Sequence, residues 1–382
     1  MVEKCYNCAV LGNPISHSLS PVLHNAAYKA LGLRNWHYSK EKVSEEDLKD
    51  FIAHLDDSWK GLSLTMPLKK TIMSLGVACD YWAKTLGVAN TAVFSKKPCI
   101  ENPESIELCN TDVNGIVMAL MRALKSKILN AKSAVIIGSG NTASSAMAAL
   151  IEIAQGSKLS KVSVVARLQS DGKTVKSVSK FNDLVDKYNS DFPNSRRIEP
   201  ENLELKNKRD YKPVCGIEFP VIEPLQIDDL QDIEECDKSH ILESISSLDA
   251  IEAIANADIV ISTVPAHVAD GLALALCEYC QEKSIKHLGA LLDVVYDPRP
   301  SQILKVWRKY GIGIGGEEML LHQALDQVKL MTFEYRYASD DSSDDSSDDS
   351  SDDSCIIKHK SIKATDYDYI RSCMEKALQE AL

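Results

Sequence analysis

The sequence predicts an α/β fold of two domains, the second built on a doubly wound parallel sheet. Three observations predict it. Short apolar runs rich in β-branched residues alternate with helical patterns over most of the chain, and such alternation builds parallel sheets with right-handed crossovers. A glycine-rich turn, Gly138-Ser-Gly140, joins one such run to a small-residue helix in the second region only. The composition, 45% hydrophobic and 26% charged over 382 residues, is that of a globular chain long enough for two cores.

Along the first region, Val10-Leu11 closes an apolar run that Gly12-Asn13-Pro14 breaks. Pro21 to Leu31 reads as a helix with Ser20 as N-cap and proline at N1. Trp36 to Ser39 reads as a strand, Glu45 to Leu55 as a helix and Leu62 to Thr65 as a strand, and Pro67 opens a further helix. A second α/β region begins near Val113. Its strands are Ser133–Ile137, Val162–Ala166, Asp258–Val264 and Leu288–Val295, and Ser144–Ala154 is helical. Between them, residues 168–250 form an enlarged, polar, proline-containing insert.

Residues 339–354 repeat Ser-Ser-Asp-Asp and are expected to be disordered. Their eight aspartates supply eight of the twelve net negative charges, so the remaining balance is ordinary and no basic surface for nucleic acid emerges. Beyond them, Thr365-Asp-Tyr-Asp368 reads as a capping box, and Tyr367, Ile370, Met374 and Leu378 recur at helical spacing.

No apolar run reaches the roughly 18 residues of a membrane span. The opening MVEKCYNCAV lacks the apolar region of a signal peptide, so a cytoplasmic protein is expected. The 11 cysteines then read as free thiols. Cys5 and Cys8 point to opposite faces of a strand, and Cys277 with Cys280 has no second pair, so no metal site is expected.

Gly138-x-Gly140-x-x-Ala143, between a strand and a helix, is the context of a dinucleotide fingerprint. The first glycine permits the turn and the second allows close approach of a pyrophosphate. The N–H groups that open the following helix, at Asn141 and Thr142, face that phosphate. The next strand ends Val164-Val165-Ala166-Arg167 with no acidic residue. An arginine fork there suits a 2′-phosphate, which favours NADP over NAD.

Seven motifs in order now converge. Ala9-Val-Leu-Gly-Asn-Pro-Ile-Ser-His-Ser-Leu-Ser-Pro21, Leu64-Thr65-Met66-Pro67-Leu68-Lys69, Gly87-Val-Ala-Asn90-Thr91 and Asn110-Thr-Asp112-x-x-Gly115 resemble the substrate-domain segments of shikimate dehydrogenases. Ser262-Thr263-Val-Pro, Asp293-Val-Val-Tyr296 and Gly316-x-x-Met319-Leu320-x-x-Gln323 resemble the later ones.

The resemblance implies a shikimate-binding catalytic domain over 1–112, completed by C-terminal helices within 319–382, and a Rossmann-like NADP-binding domain over 113–318. It implies Lys69 and Asp112 as the catalytic pair. Ser18, Ser20, Thr65, Asn90, Tyr296 and Gln323 are implied as substrate contacts. Gly138, Gly140, Asn141, Thr142, Arg167, Thr263, Gly316 and Met319 are implied as cofactor contacts. The implied reaction is reversible reduction of 3-dehydroshikimate to shikimate on the route to chorismate and the aromatic amino acids, by a monomer or homodimer. A quinate/shikimate dehydrogenase using NAD and a non-catalytic ligand-binding descendant are the other readings. The chain departs from the family pattern at Ser63, Val113-Asn114, Ala166-Arg167-Leu168, Ser301, Glu317 and Glu318.

Overall fold

The computed structural model describes residues 4–166, 178–192, 248–297, 299–340 and 364–382. They divide into two compact units, Met1–Gly115 with Met319–Leu382, and Ile116–Glu318.

The first unit contains β1 (Tyr6–Gly12), α1 (Ser20–Ala30), β2 (Trp36–Lys42), α2 (Leu48–Ala53), β3 (Trp59–Leu64) and α3 (Leu68–Thr71). There follow β4 (Val77–Ala78), α4 (Tyr81–Leu86), β5 (Thr91–Val93), β6 (Glu107–Cys109) and the start of α5 (Thr111–Leu124). Its sheet runs β2-β1-β3-β5-β6-β4. β2, β1 and β3 are parallel, whereas β5 is antiparallel to both β3 and β6. One face buries Leu11, Ile52, Leu62, Leu64 and Leu68. The other buries Leu23, Tyr28 and Tyr38 against two late helices. These are α11 (Gly316–Asp340), whose unit-one part starts at Met319, and α12 (Ala364–Ala381). Ile370, Met374 and Leu378 of α12 are buried there, as their 3.6-residue spacing predicts.

Four boundaries differ from expectation. Helix α1 already includes Ser20. Leu19 occupies the cap position, and the Ser18 hydroxyl accepts the Ser20 N–H at 3.3 Å. Helix α2 spans only Leu48–Ala53, because the Ser44 hydroxyl takes the Asp47 N–H at 3.3 Å and closes a turn ahead of it. The backbone of α12 is helical from Ala364, so Thr365 lies inside the first turn rather than at its cap. Helix α11 continues through Ser339 and Asp340. The rest of the Ser-Asp tract lies outside the described residues, as does most of the 168–250 insert.

The second unit holds β7 (Ser133–Ile137), α6 (Asn141–Gly156), β8 (Lys161–Val165), α7 (Val178–Asp191), α8 (Leu248–Asn256) and β9 (Ile259–Ser262). It continues with α9 (Asp270–Glu282), β10 (Ala290–Asp293), α10 (Gln302–Trp307) and β11 (Ile312–Ile314). Among the described residues its sheet is parallel throughout, in the order β11-β10-β9-β7-β8. Val135, Ile137, Val260 and Leu291 pack there against Ile251, Leu272, Leu276 and Trp307. The chain leaves β7 to one side for β8 and returns on the other side for β9. The carboxyl ends of β7 and β9 therefore form a topological switch point, where such sheets bind ligands.

Candidate active site

In the first unit, β3 delivers the chain into a tight turn. The Thr65 N–H bonds Leu11 O at 2.9 Å, the Asn13 N–H bonds Met66 O at 3.0 Å, and the Leu68 N–H bonds Thr65 O at 2.8 Å. Lys69 follows in the first turn of α3, its carbonyl accepting the Ala89 N–H at 2.9 Å. Its ammonium donates to Asp112 Oδ2 at 2.5 Å, with the two side chains only 16% and 6% exposed. Asp112 stands in the first turn of α5 and its N–H bonds Asn110 Oδ1 at 3.2 Å.

Asn90 ties the pair to its surroundings. Its amide Nδ2 lies 2.9 Å from Asp112 Oδ1, 2.9 Å from Thr111 Oγ1 and 3.0 Å from Gln323 Oε1. Its Oδ1 accepts the Thr111 backbone N–H at 2.8 Å. Gly115 lets α11 approach α5, since a Cβ there would lie 2.9 Å from Gln323 Cβ and from Met319 O. Lys69, Asp112, Asn90 and Gln323 thus form one hydrogen-bonded cluster. Thr65 lies four residues before Lys69 in the same turn, and Ser18 and Ser20 open α1 in the same unit. Tyr296 belongs to the other unit, partly buried after β10, and burial pushes its hydroxyl pKa up.

In the second unit the glycine-rich turn follows β7 at the switch point. Gly138 has φ +115°, and a Cβ there would lie 2.4 Å from Thr263 Oγ1. Thr263 is drawn in by two bonds to Ile137 O, from its N–H at 2.8 Å and its hydroxyl at 2.9 Å. At Gly140, by contrast, a Cβ would meet nothing within 4 Å, and this residue caps α6 with no side-chain bond. The N–H groups at the start of α6 stand beside exposed Asn141 and half-buried Thr142, at a helix terminus of the kind that can receive an anion. Gly316 begins α11, where a Cβ would meet Val294 O at 2.2 Å, and Met319 is buried one turn on. Arg167 lies outside the described residues. A cation that sequence reasoning missed is Lys180 of α7. Its ammonium donates to Ser139 O at 2.7 Å and Gly140 O at 3.3 Å, and burial lowers its pKa. No spacing in the polar stretch singles it out.

Residues 10–92 match the family of the shikimate dehydrogenase substrate binding domain. An NADP(+) shikimate dehydrogenase of Prochlorococcus marinus strain MIT 9515 is 35% identical over 42% of this chain and 51% of its own length, so the matched stretch spans about half of that relative. Another from the same species, strain CCMP1986, is 26% identical over 87% of this chain and 93% of its own. The crystal structure of a shikimate 5-dehydrogenase from Mycobacterium fortuitum superposes with a TM-score of 0.58 at 30% identity, covering 87% of this chain and 95% of that one. The chain belongs to the shikimate dehydrogenase family.

Several departures from the shikimate dehydrogenase pattern have local structural accounts. Ser63 is buried and accepts the Tyr38 hydroxyl at 2.5 Å while donating to Gln327 Oε1 at 2.8 Å. Asn114 bonds Asp326 across to α11. Ser301 caps α10 by accepting the Leu304 N–H at 3.3 Å and donates to Asp293 at 2.5 Å. Glu317 stands 3.7 Å from Arg299, and Glu318 3.5 Å from Arg122. Among the described residues no helix is long and apolar enough to cross a membrane.

Proposed function

We propose that this chain is an NADP-dependent shikimate dehydrogenase that reversibly reduces 3-dehydroshikimate to shikimate, with Lys69 and Asp112 as its reacting pair. The observation that carries this reading is the buried Lys69–Asp112 contact of 2.5 Å, braced by Asn90 and Gln323.

The first unit is the substrate domain in this reading and the second the cofactor domain. Ser18 and Ser20 hold the substrate carboxylate, while Thr65, Asn90, Tyr296 and Gln323 contact its hydroxyls and the lysine. The cofactor crevice is the switch point. There Gly138 and Thr263 shape the turn, open Gly140 and the α6 N-terminus receive the pyrophosphate, and Gly316 and Met319 border the nicotinamide end. The relatives named NADP(+) favour that cofactor, and Arg167 supplies the cation for its 2′-phosphate.

The nicotinamide, when bound, supplies the hydride. Lys69 stabilises the oxygen that gains charge as the ketone is reduced and delivers its proton; in the reverse direction it takes the hydroxyl proton. Asp112 aims the ammonium, and the pair is largely shielded from solvent. The protein works in the cytoplasm as a monomer or homodimer, within aromatic amino-acid biosynthesis.

Initial rates with shikimate, run with NADP and with NAD and repeated with quinate, test the assignment. Shikimate oxidation that depends on NADP is expected. Turnover of quinate with NAD alone would replace the reading, and absence of turnover with either substrate would end it.

A further inference from the structure

We propose that Gln327 is a positioning residue for this reaction, its amide fixing a one-way chain of hydrogen bonds that runs from Tyr38 to the carboxylate of Asp112. The proposal rests on the assignment of Lys69 and Asp112 as the reacting pair.

Gln327 lies one turn beyond Gln323 on α11 and is 1% exposed. Both ends of its amide are fully used. Nε2 donates to Asn90 O at 3.2 Å and to Thr91 Oγ1 at 3.0 Å. Oε1 accepts from the Ser63 hydroxyl at 2.8 Å and from the His24 ring at 3.2 Å. The orientation follows from chemistry, because the Asn90 carbonyl can only accept and so must face the NH2.

Each further link inherits a direction. Ser63 spends its proton on Gln327 and accepts the Tyr38 hydroxyl at 2.5 Å. Thr91 accepts from Gln327 and donates to Asn90 Oδ1 at 2.9 Å. That same oxygen takes the Thr111 backbone N–H, which can only donate. The Asn90 NH2 is therefore turned to Asp112 Oδ1 at 2.9 Å, and Asp112 Oδ2 is left to Lys69. Both carboxylate oxygens are acceptors, and Lys69 holds the mobile proton at the end of the chain. His24 must donate through Nε2, so its Nδ1 carries no proton; that atom is buried without a partner. Burial lowers the His24 pKa to about 3, which keeps this neutral form throughout the working range.

A packing residue at 327 would serve as well if apolar. A directional one would not, because without the Gln327 donor the Thr91 hydroxyl is no longer pointed at Asn90 Oδ1, and the Thr111 N–H is left to hold the Asn90 amide with less support. Two variants separate these roles. Gln327→Met keeps the shape and removes every polar link. Gln327→Glu keeps the shape, but when ionised it can only accept, so it opposes Asn90 O and Thr91; protonated, it regains one donor. The titratable groups facing the position are His24, and Tyr38 beyond Ser63; neither ionises between about pH 5 and 9, since burial lowers the former and raises the latter.

The experiment measures kcat and KM across that range, together with exchange of the Asn90 side-chain amide by 15N–1H spectroscopy. In Gln327→Met, kcat should fall on the order of 10- to 100-fold with shikimate KM changed less than about threefold, as for a misplaced reacting group. In Gln327→Glu the rate relative to wild type should rise as pH falls and the buried carboxyl takes a proton. The Asn90 amide should exchange faster in Gln327→Met. That readout needs no turnover, so it decides the role of Gln327 even if the wild type fails to oxidise shikimate, a failure that would sink the assigned reaction instead. If Gln327→Met does not fold, Gln327→Glu carries the test. Unchanged Asn90 exchange in Gln327→Met, or a Gln327→Glu rate ratio flat with pH, overturns the proposal.

Discussion

The Lys69 ammonium reaches Asp112 Oδ2 at 2.5 Å across 43 residues of sequence, while the Asn90 amide occupies Oδ1 of the same carboxylate at 2.9 Å. Asp112 therefore has no spare oxygen for a second role. Asp112→Asn keeps the size but places a neutral amide between two groups that both donate. Its kcat should drop by about 10²-fold or more while NADP binding holds, since general acid–base groups contribute ~10²–10⁴-fold. Steady-state kinetics with cofactor titration checks this; an Asp112→Asn enzyme with near wild-type kcat would remove Asp112 from the mechanism.

The two loop glycines should fail in different ways. Gly138→Ala puts a methyl 2.4 Å from Thr263 Oγ1 at φ +115°, and should cost about 1–3 kcal/mol of stability. Gly140→Ala meets nothing within 4 Å, so it should fold normally and weaken cofactor binding instead. Thermal melts and cofactor titrations of both variants separate them. Normal cofactor affinity in Gly140→Ala would place the pyrophosphate elsewhere.

His24 links stability to acid. Burial lowers its pKa to about 3 from 6.5. Between those values the unfolded chain binds the extra proton and the folded one does not, so stability falls as pH drops through that window. At pH 5 this amounts to ~2 kcal/mol. Urea unfolding at pH 7 and 5 should show a smaller acid loss in His24→Gln than in wild type. Equal losses would contradict the neutral buried ring.

Cofactor choice is read from Arg167. If its guanidinium pairs with the 2′-phosphate, Arg167→Ala should weaken NADP roughly 10- to 150-fold, the worth of about 1.5–3 kcal/mol, and leave NAD almost unchanged. Dissociation constants for both cofactors decide it, and equal losses would refute the role.

The parts of the fold that are legible in the sequence are those that local chemistry dictates. The run Ser133–Ile137 into Gly138 and Gly140 shows as strand, turn and helix because its β-branched residues and glycines are adjacent in the chain. Helix ends are less legible. Ser20 is a good cap by type, and only the folded turn shows it inside the helix, its N–H taken by the Ser18 hydroxyl. Lys69 and Asp112 stand out through family motifs, since a lone lysine beside Lys70 has no signature of its own. Gln327 and Lys180 leave no pattern. The partners of Gln327, Ser63 and His24, lie 264 and 303 residues away, and those of Lys180 are backbone carbonyls.

The central claim, that Lys69 moves the proton in shikimate oxidation, meets its most direct test in single-turnover kinetics of Lys69→Ala with shikimate and NADP. The variant should fold, bind both ligands and lose ~10²–10⁴-fold in the rate of NADPH formation. Retention of more than about a tenth of the wild-type rate would contradict the account, because a general acid–base group contributes more than that.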